Sequence, residues 1–290
     1  MYAIFQFQEL INQALKEDIG TGDLSTRILP DDLRGLAKIY SKQEGVVAGL
    51  SLVKQVFLQV DPRIQVHMLA KDGDEVKVGT VVLELVGALN SILQGERTAL
   101  NFLQHLSGIA TATKKAVNQV AGLPVRIVDT RKTLPGWRAL QKYAVRVGGG
   151  ENHRFGLYDA VMLKDNHLTA VGGLTEGVKR IRAQVGHMVK IEVECESMEQ
   201  VKEAVTCAVD VIMLDNMGIE EMREAVLYID QRAIVEASGG IQVELLREVA
   251  ETGVDLISIG ALTHSVKAMD FSLDIGDIKA STKASWERRI

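Results

Sequence analysis

The sequence predicts an α/β protein in which an incomplete (β/α) barrel follows an N-terminal α+β sandwich domain. From about residue 126, short β-branched runs alternate with amphipathic stretches, as in a parallel sheet covered by helices. Residues 1–105 lack that alternation. The length of 290 residues also exceeds what one ordinary core holds, so we expect two unequal domains.

The N-terminal domain is predicted to mix helices with strands. Apolar spacing indicates helices over 7–18 and 50–60, and strands over 36–40 and 81–86. Near the C-terminus, Phe271, Leu273 and Ile275 alternate with other residues as one face of a strand does. We therefore expect the tail, 266–290, to return to the sheet of this domain.

The barrel is predicted to cover residues 106–265. Six apolar runs of strand length, each followed by a polar or glycine-containing turn, lie at 126–129, 160–164, 191–195, 209–214, 233–237 and 254–259. Helical apolar spacing separates several of them, and Ser197 with Gln200 predicts a capping box for one of these helices. Six strands are fewer than the usual eight, so either some strands are weakly patterned or the barrel is incomplete.

Composition and charge exclude several classes of protein. A content of 47% hydrophobic and 24% charged residues is typical of a soluble globular protein. The net charge of −5 argues against a general nucleic-acid or anionic-membrane binder. Cys195 and Cys207 have no metal-ligand spacing and suit a reducing compartment. No basic leader and no apolar run of about 18 residues is visible, so we expect a cytoplasmic protein without a membrane span.

Cations cluster after two of the predicted strands, at the edge where barrels bind ligands. Residues 126–164 hold eight lysines and arginines against three carboxylates, within a chain of net negative charge. A solvated helix face explains Lys142 and Arg146. It fits Arg131, Lys132 and Lys164 poorly, because these three directly follow apolar strands. Guanidinium forks and lysine charges hold carboxylates and phosphates, so these residues predict a pocket for a small, multiply charged anion.

Glycine turns lie near the same edge. The loop that begins at 148–150 ends in His153 and Arg154 and is predicted to wrap a ligand. The turns 238–240 and 260–261 close the last two strands ahead of helices, where free backbone N–H groups favour a phosphate.

Carboxylates share one parity on the strand 191–195 and its neighbour. Glu192, Glu194 and Glu196 alternate, and Asp215 ends the next strand. If this parity faces the barrel interior, the carboxylates need strong partners, because unpaired buried charge is costly. Metal, sugar hydroxyls or the strand-end lysines could serve, and a structural ion-pair network is the expectation for Glu192.

Eight segments, taken together, resemble the quinolinate phosphoribosyltransferase family, and the resemblance covers nearly the whole chain. They are E-D-I-G-T-G-D-L-S-T (17–26), E-R-T-A-L-N (96–101), D-T-R-K-T-L-P-G-W-R (129–138), K-Y-A-V-R-V-G-G-G-E-N-H-R (142–154), V-M-L-K-D-N-H (161–167), E-V-E (192–194), M-L-D-N (213–216) and E-A-S-G-G-I (236–241). The resemblance implies a pentosyltransferase that converts quinolinate and phosphoribosyl pyrophosphate, with Mg²⁺, to nicotinate mononucleotide, pyrophosphate and CO₂.

The resemblance also implies roles for individual residues. Quinolinate is expected to contact Arg131, His153, Arg154 and Lys164, together with Arg97 from the second subunit of a homodimer that could assemble further. Lys132, beside Thr130, is expected to face the pyrophosphate or the reacting centre. The 5-phosphate is expected at Ser238, Gly239, Gly240, Ile259, Gly260, Ala261 and His264. Glu194 and Asp215 are expected to take the ribose hydroxyls and the Mg²⁺ that accompanies the pyrophosphate substrate, with no separate protein metal site.

Three alternatives remain open from the residues alone. Lys164 could form a Schiff base in a class I aldolase-like barrel. A related enzyme of the same family could use another aromatic acid. The chain could also be a binding or scaffold protein, although a scaffold has no reason to assemble so many charged strand ends.

Overall fold

The structure is a computed structural model that describes residues 7–278, and these residues form two compact units. Unit 1 comprises residues 7–112, 139–148 and 266–278, and unit 2 comprises 113–138 and 149–265. The sequence-based boundary at residue 105 lies within one long helix, and 139–148 belongs to unit 1 instead of the barrel. Contacts explain that placement, since Tyr143 donates a hydrogen bond to Asp72 Oδ2 and Gln141 Nε2 lies 2.9 Å from His105 Nε2.

Unit 1 is built around a four-stranded antiparallel sheet. Its helices are α1 (Gln8–Ile19), α2 (Leu50–Val60) and α3 (Leu89–Gln119), the last continuing into unit 2, and most of α4 (Arg138–Val147). Its strands are β1 (Arg34–Ser41), β2 (Gly45–Val46), β3 (Gln65–Met68), β4 (Glu75–Val76), β5 (Val81–Ala88) and β12 (Phe271–Ile278). The sheet order is β12-β1-β5-β3, and β2 pairs separately with β4.

Strand β1 lies inside this sheet, between β12 and β5, and its residues alternate in burial. Every second residue of β1 is buried, including Ala37 and Ile39. The C-terminal strand β12 pairs antiparallel with β1, with Ile39 opposite Leu273. Residues 271–278 therefore lie in the sheet of unit 1.

Two features of unit 1 differ from the sequence prediction. Helix α3 spans 31 residues, whereas the sequence analysis gave no bounds for a helix there. Lys142 was assigned to a solvated helix face, but it is fully buried in α4. That explanation of Lys142 was wrong, and the cation is an internal residue of unit 1.

Unit 2 is an α/β barrel that strand pairing leaves open. Its strands are β6 (Arg126–Val128), β7 (Val161–Leu163), β8 (Ile191–Cys195), β9 (Val211–Asp215), β10 (Ile234–Ser238) and β11 (Leu256–Ser258). Its helices are α5 (Asp165–Val171), α6 (Leu174–Arg182), α7 (Met198–Thr206), α8 (Ile219–Ile229), α9 (Leu246–Ala250) and α10 (Ala261–His264). The strands are parallel in the order β6-β11-β10-β9-β8-β7.

The six predicted strands all form, and their order accounts for the incomplete barrel. Glu151 forms a single parallel bridge with Val128, on the side of β6 away from β11. Within residues 7–278, no strand pairing joins Glu151 to β7, so the sheet does not close. Burial of Val193, Ile212 and Ala237 places the apolar parity of the central strands in the core.

The predicted N-cap of α7 is present with a shifted partner. Ser197 Oγ accepts a hydrogen bond from Gln200 N at 3.4 Å. Gln200 Oε1 in turn accepts one from Glu196 N instead of Ser197 N.

Among the described residues, no helix combines the length and apolarity that crossing a membrane requires.

Candidate active site

The carboxyl ends of the unit 2 strands surround a pocket of about 510 Å³. Its lining mixes cations, carboxylates, small polar groups and glycines: Thr130, Arg131, Lys132, His153, Arg154, Met162, Lys164, Glu194, Met213, Asp215, Asn216, Glu236, Ser238, Gly239, Gly240 and Ser258. Eleven of these residues were predicted from the sequence. The pocket has the size and the polar groups expected of a small-molecule site.

The loop after β6 carries the first cations. Thr130 Oγ1 accepts a hydrogen bond from Lys132 N at 3.0 Å, which turns the chain sharply at the strand end. Thr263 Oγ1 donates to Lys132 O at 2.8 Å and fixes the same loop from α10. The buried Nε of Arg131 has no hydrogen-bond partner, so this guanidinium is available to an anion in the pocket.

Arg138 supports this loop from behind. Its Nε donates to Thr133 Oγ1 at 3.0 Å, and its Nη1 donates to Phe155 O at 3.1 Å. Arg138 was quoted in a sequence motif but received no role. The structure shows that it joins the Arg131 segment to the segment that follows His153 and Arg154.

The second cationic segment is fixed by the buried carboxylate of Asp129. Asp129 Oδ1 accepts from His153 N at 2.9 Å, and Oδ2 accepts from Asn152 Nδ2 at 2.6 Å. Arg154 Nη1 donates to Ala160 O at 2.9 Å. Burial and then the charge of Arg131 lower the pKa of Arg154. The two guanidiniums therefore repel each other, and an anion between them would relieve that repulsion.

Next to these cations, His153 lies against the buried glutamates Glu192 and Glu236, and we call these three residues the triad. His153 Nε2 is 3.2 Å from Glu192 Oε2 and 3.4 Å from Glu236 Oε2. Glu192 Oε1 and both oxygens of Glu236 are buried without a hydrogen-bond partner. The approach of Glu236 Oε2 is therefore close in distance but poor in hydrogen-bond angle.

The triad retains a proton that isolated side chains would lose. Burial alone would lower the pKa of His153, but the hydrogen bond of Glu192 and the charges of both glutamates raise it. Burial also raises the pKa of Glu192. Both groups compete for one proton. We place it on the carboxylate pair, because His153 Nδ1 accepts a hydrogen bond from Arg154 N at 2.7 Å and an imidazolium could not do so.

The ends of β7, β8 and β9 carry an ion pair and a further carboxylate. Lys164 Nζ lies 2.6 Å from Glu194 Oε2, which is the lysine partner that the sequence suggested for these glutamates. Glu192, by contrast, pairs with His153 and not with a lysine. Asp215 Oδ2 accepts from Asn216 Nδ2 at 2.8 Å.

The turn after β10 completes the pocket. Gly239 has φ +101°, and a Cβ there would come 2.7 Å from Asn216 N, so only glycine fits without movement. Gly240 has φ +58°, with open space around it. Ser238 O accepts from Asn216 N at 3.1 Å and joins this turn to the end of β9.

Five predicted residues are not among those that line the pocket. Ile259 directly follows β11 and is buried, and Ala261 and His264 belong to the single turn of α10. Gly260 lies beneath the Lys132 side chain, since a Cβ there would come 2.9 Å from Lys132 Cδ. Arg97 is exposed on α3 within unit 1.

Four lining residues, Met162, Met213, Asn216 and Ser258, lie at or next to strand ends and received no site role from the sequence. Glu236 is the more informative omission. It is a single charge within an apolar strand and has the parity of Ser238, two residues later. A charge at that parity indicates a side chain facing the barrel interior.

The fold and the pocket define a class: a barrel enzyme that binds small anionic substrates through strand-end cations, carboxylates and a glycine turn. Comparison with known proteins makes this specific. Residues 23–107 match the quinolinate phosphoribosyl transferase N-terminal domain, and 109–274 match the C-terminal domain of that family. The chain belongs to the quinolinate phosphoribosyl transferase family.

The chain is similar to curated relatives over most of its own length and of theirs. The probable nicotinate-nucleotide pyrophosphorylase (carboxylating) of Bacillus subtilis is 47% identical over 270 residues, covering 93% of each chain. The protein so named from Synechocystis is 46% identical and covers 91% of each. The crystal structure of NadC from Streptococcus pyogenes has a TM-score of 0.92 and 41% identity, covering 96% of this chain and 99% of that one.

Proposed function

We propose that this chain is a pentosyltransferase that joins quinolinate to phosphoribosyl pyrophosphate, giving nicotinate mononucleotide, pyrophosphate and CO₂. The observation that carries the proposal is one pocket whose lining combines two unlike sets of groups. We call Arg131, Arg154 and Lys164 the cationic half, and Glu194, Asp215 and the glycine turn 238–240 the other half. A dicarboxylate suits the first set and a phosphorylated sugar suits the second. The relatives named as carboxylating nicotinate-nucleotide pyrophosphorylases support the same reaction.

The cationic half would hold quinolinate. Arg131 and Arg154 are close enough to repel, so a dicarboxylate placed between them gains more attraction than either guanidinium alone would provide. Lys164 adds a third cation, which Glu194 holds in position. These contacts would orient the pyridine nitrogen toward the sugar, which is the positioning contribution to the rate.

The other half would hold the phosphorylated sugar. Ser238, Gly239 and Gly240 form a turn whose backbone can approach a phosphate closely, because Gly239 has no side chain. Lys132 lies at the adjacent strand end and would neutralise the departing pyrophosphate. Gly260 and His264 lie next to the Lys132 side chain and would complete the phosphate side.

The chemistry would need positioning and charge and no covalent nucleophile. As pyrophosphate leaves, positive charge develops on the ribose, and Glu194 and Asp215 would stabilise it electrostatically. The pyridine nitrogen then bonds to the anomeric carbon. The resulting pyridinium withdraws the electron pair of the bond to the adjacent carboxylate, so CO₂ departs with little further help from the protein. The ring carbon left behind then takes a proton from solvent.

Magnesium is expected with the pyrophosphate substrate, and the pocket suits it. Mg²⁺ prefers oxygen ligands and usually shares substrate phosphates with one or two carboxylates. Glu194 and Asp215 offer such carboxylates at adjacent strand ends. When bound, the ion would neutralise pyrophosphate charge, while these two residues orient it together with the ribose hydroxyls.

A homodimer with a shared site and a cytoplasmic location are part of the proposal. Arg97 is exposed on α3 in unit 1, as a residue available to a second subunit would be. If Arg97 acts across subunits, Arg97→Ala and Arg154→Ala should each be inactive. Mixed subunits should then recover activity, since some sites are intact on both sides. Failure to complement would count against the shared site.

The reaction is tested by product release from purified protein. CO₂ and pyrophosphate should appear only when quinolinate, phosphoribosyl pyrophosphate and Mg²⁺ are all present. Turnover of nicotinate or another aromatic acid in place of quinolinate would indicate a different substrate within the family. Borohydride trapping of a substrate adduct on Lys164 would instead favour Schiff-base chemistry.

A further inference from the structure

The His153 ring is held by protein groups at both of its nitrogens. Nδ1 accepts a hydrogen bond from Arg154 N at 2.7 Å, and a backbone N–H can only donate. Nδ1 therefore carries no proton, and the ring proton lies on Nε2. That nitrogen faces Glu192 Oε2 at 3.2 Å and Glu236 Oε2 at 3.4 Å.

The side chains around the ring make this arrangement hard to exchange for another. Glu236 is fully buried and Glu192 nearly so. Three of their four oxygens have no hydrogen-bond partner, so turning the ring would leave the buried carboxylates without their nearest donor. Asp129 fixes the backbone of His153, and Arg154 follows directly in the chain.

A metal ion is the obvious alternative, since one histidine nitrogen and two carboxylates lie within 4.8 Å of one another. The tautomer argues against it. A metal-bound histidine normally donates its other N–H to an acceptor, whereas here the other nitrogen accepts from Arg154 N. A metal at Nε2 would leave the ring with no proton, so a proton occupies that position.

We infer that His153 is a positioning residue, which Glu192 and Glu236 hold so that its ring fixes the backbone and guanidinium of Arg154 at the pocket wall. Arg154 is then held at both ends, by His153 Nδ1 and by Ala160 O. This inference rests on the proposed function, in which Arg154 holds quinolinate.

Two substitutions of His153 test the roles of its two ring nitrogens separately. His153→Asn retains an oxygen near Nδ1, which can accept from Arg154 N, but it loses the contact with the glutamates. His153→Gln retains a donor near Nε2 but loses the acceptor near Nδ1. If the His153 ring positions Arg154, both variants should raise the KM for quinolinate about 10- to 100-fold, as expected for one lost hydrogen bond to charged groups.

The KM for phosphoribosyl pyrophosphate should change by less than about threefold in both variants, since Arg154, which the ring positions, belongs to the cationic half and a tenfold change needs about 1.4 kcal/mol. A wild-type KM for quinolinate in His153→Gln would overturn the inference. It would mean that the hydrogen bond from Arg154 N to Nδ1 does not contribute to quinolinate binding.

Glu236→Gln removes one charge of the triad at nearly constant shape and should also raise the KM for quinolinate. Glu220→Gln is the matched control, because Glu220 is an exposed residue of α8 outside the pocket. Equal KM values in the two glutamine variants would contradict a role for the triad.

A spectroscopic test is independent of turnover. In protein labelled with ¹⁵N-histidine, His153 should show the neutral tautomer with an unprotonated Nδ1 at pH 7. Its signals are identified by their absence from the spectrum of His153→Asn. Two protonated ring nitrogens would refute the positioning role of His153 even if quinolinate is the substrate. Added Zn²⁺ or Mn²⁺ should leave the His153 signals in place, and a stoichiometric shift would establish a metal site instead. A wild-type protein inactive with quinolinate would refute the proposed function without altering the tautomer result.

Discussion

Replacement of Gly239 by alanine tests whether the turn after β10 is shaped by close contact with the end of β9. Gly239 has φ +101°, which side chains rarely adopt, and its Cβ would meet Asn216, whose backbone N lies only 2.7 Å away. Backbone N cannot rotate away as a side chain can. The turn must therefore shift, and the pocket edge shifts with it.

The magnitude follows from two costs. Holding an L-residue in a sparsely populated backbone region costs about 1–3 kcal/mol, and forcing an extra carbon into a filled space adds about 1–3 kcal/mol. Gly240 is the matched control, since its φ of +58° lies in the left-handed region and no atom lies within 4 Å of an added Cβ. Gly240→Ala should cost only about 1–2 kcal/mol.

The assay combines unfolding with kinetics. Gly239→Ala should lower the urea midpoint more than Gly240→Ala, and it should raise the KM for phosphoribosyl pyrophosphate at least about tenfold, equivalent to 1.4 kcal/mol. The KM for quinolinate should change much less. If the two alanine variants behave alike, the contact with Asn216 does not shape the turn.

Three further predictions concern other contacts. Thr263→Val removes the hydrogen bond to Lys132 O at 2.8 Å and should cost about 1 kcal/mol, with a severalfold rise in the KM for phosphoribosyl pyrophosphate. Ser197→Ala removes the N-cap of α7 and should lower the free energy of unfolding by about 1 kcal/mol without altering either KM. Arg63 hydrogen bonds lower the pKa of Asp61 to about 2, so Asp61 stabilises the fold above its ordinary pKa of 3.8 and loses this effect as the pH falls toward 2. Asp61→Asn should therefore be less stable than wild type at pH 7, and urea unfolding should show that difference shrinking between pH 4 and pH 2.

A different result would contradict each of these three predictions. An unchanged KM in Thr263→Val would mean that the loop after β6 is held by its other contacts. A KM change in Ser197→Ala would show that α7 communicates with the pocket. A stability difference for Asp61→Asn that does not change below pH 4 would mean that its carboxylate charge is not the stabilising feature.

Strand periodicity carried the prediction of unit 2. All six predicted strands formed, because near-continuous apolar runs flanked by turns have few other ways to be buried in an α/β protein. The strand-end rule then identified most of the pocket, including Arg131, Lys164 and Asp215, since the ends of parallel strands meet at one edge. Unit 1 was harder: α3 had no predicted bounds and Lys142 was misplaced, because burial in unit 1 depends on contacts between distant segments.

The sequence by itself determined the class of fold, the strand-end residues and the resemblance to the family, because each depends on short patterns or motifs within one segment. Only the tertiary structure decided which groups meet. It brought Glu236 to His153 across 83 positions of sequence, and it brought Gly239 against Asn216. Such contacts depend on the register of neighbouring strands and on which side of a ring faces which donor, and neither leaves a local pattern. The cationic segment therefore indicated an anion, whereas the structure showed which protein groups hold its histidine in place.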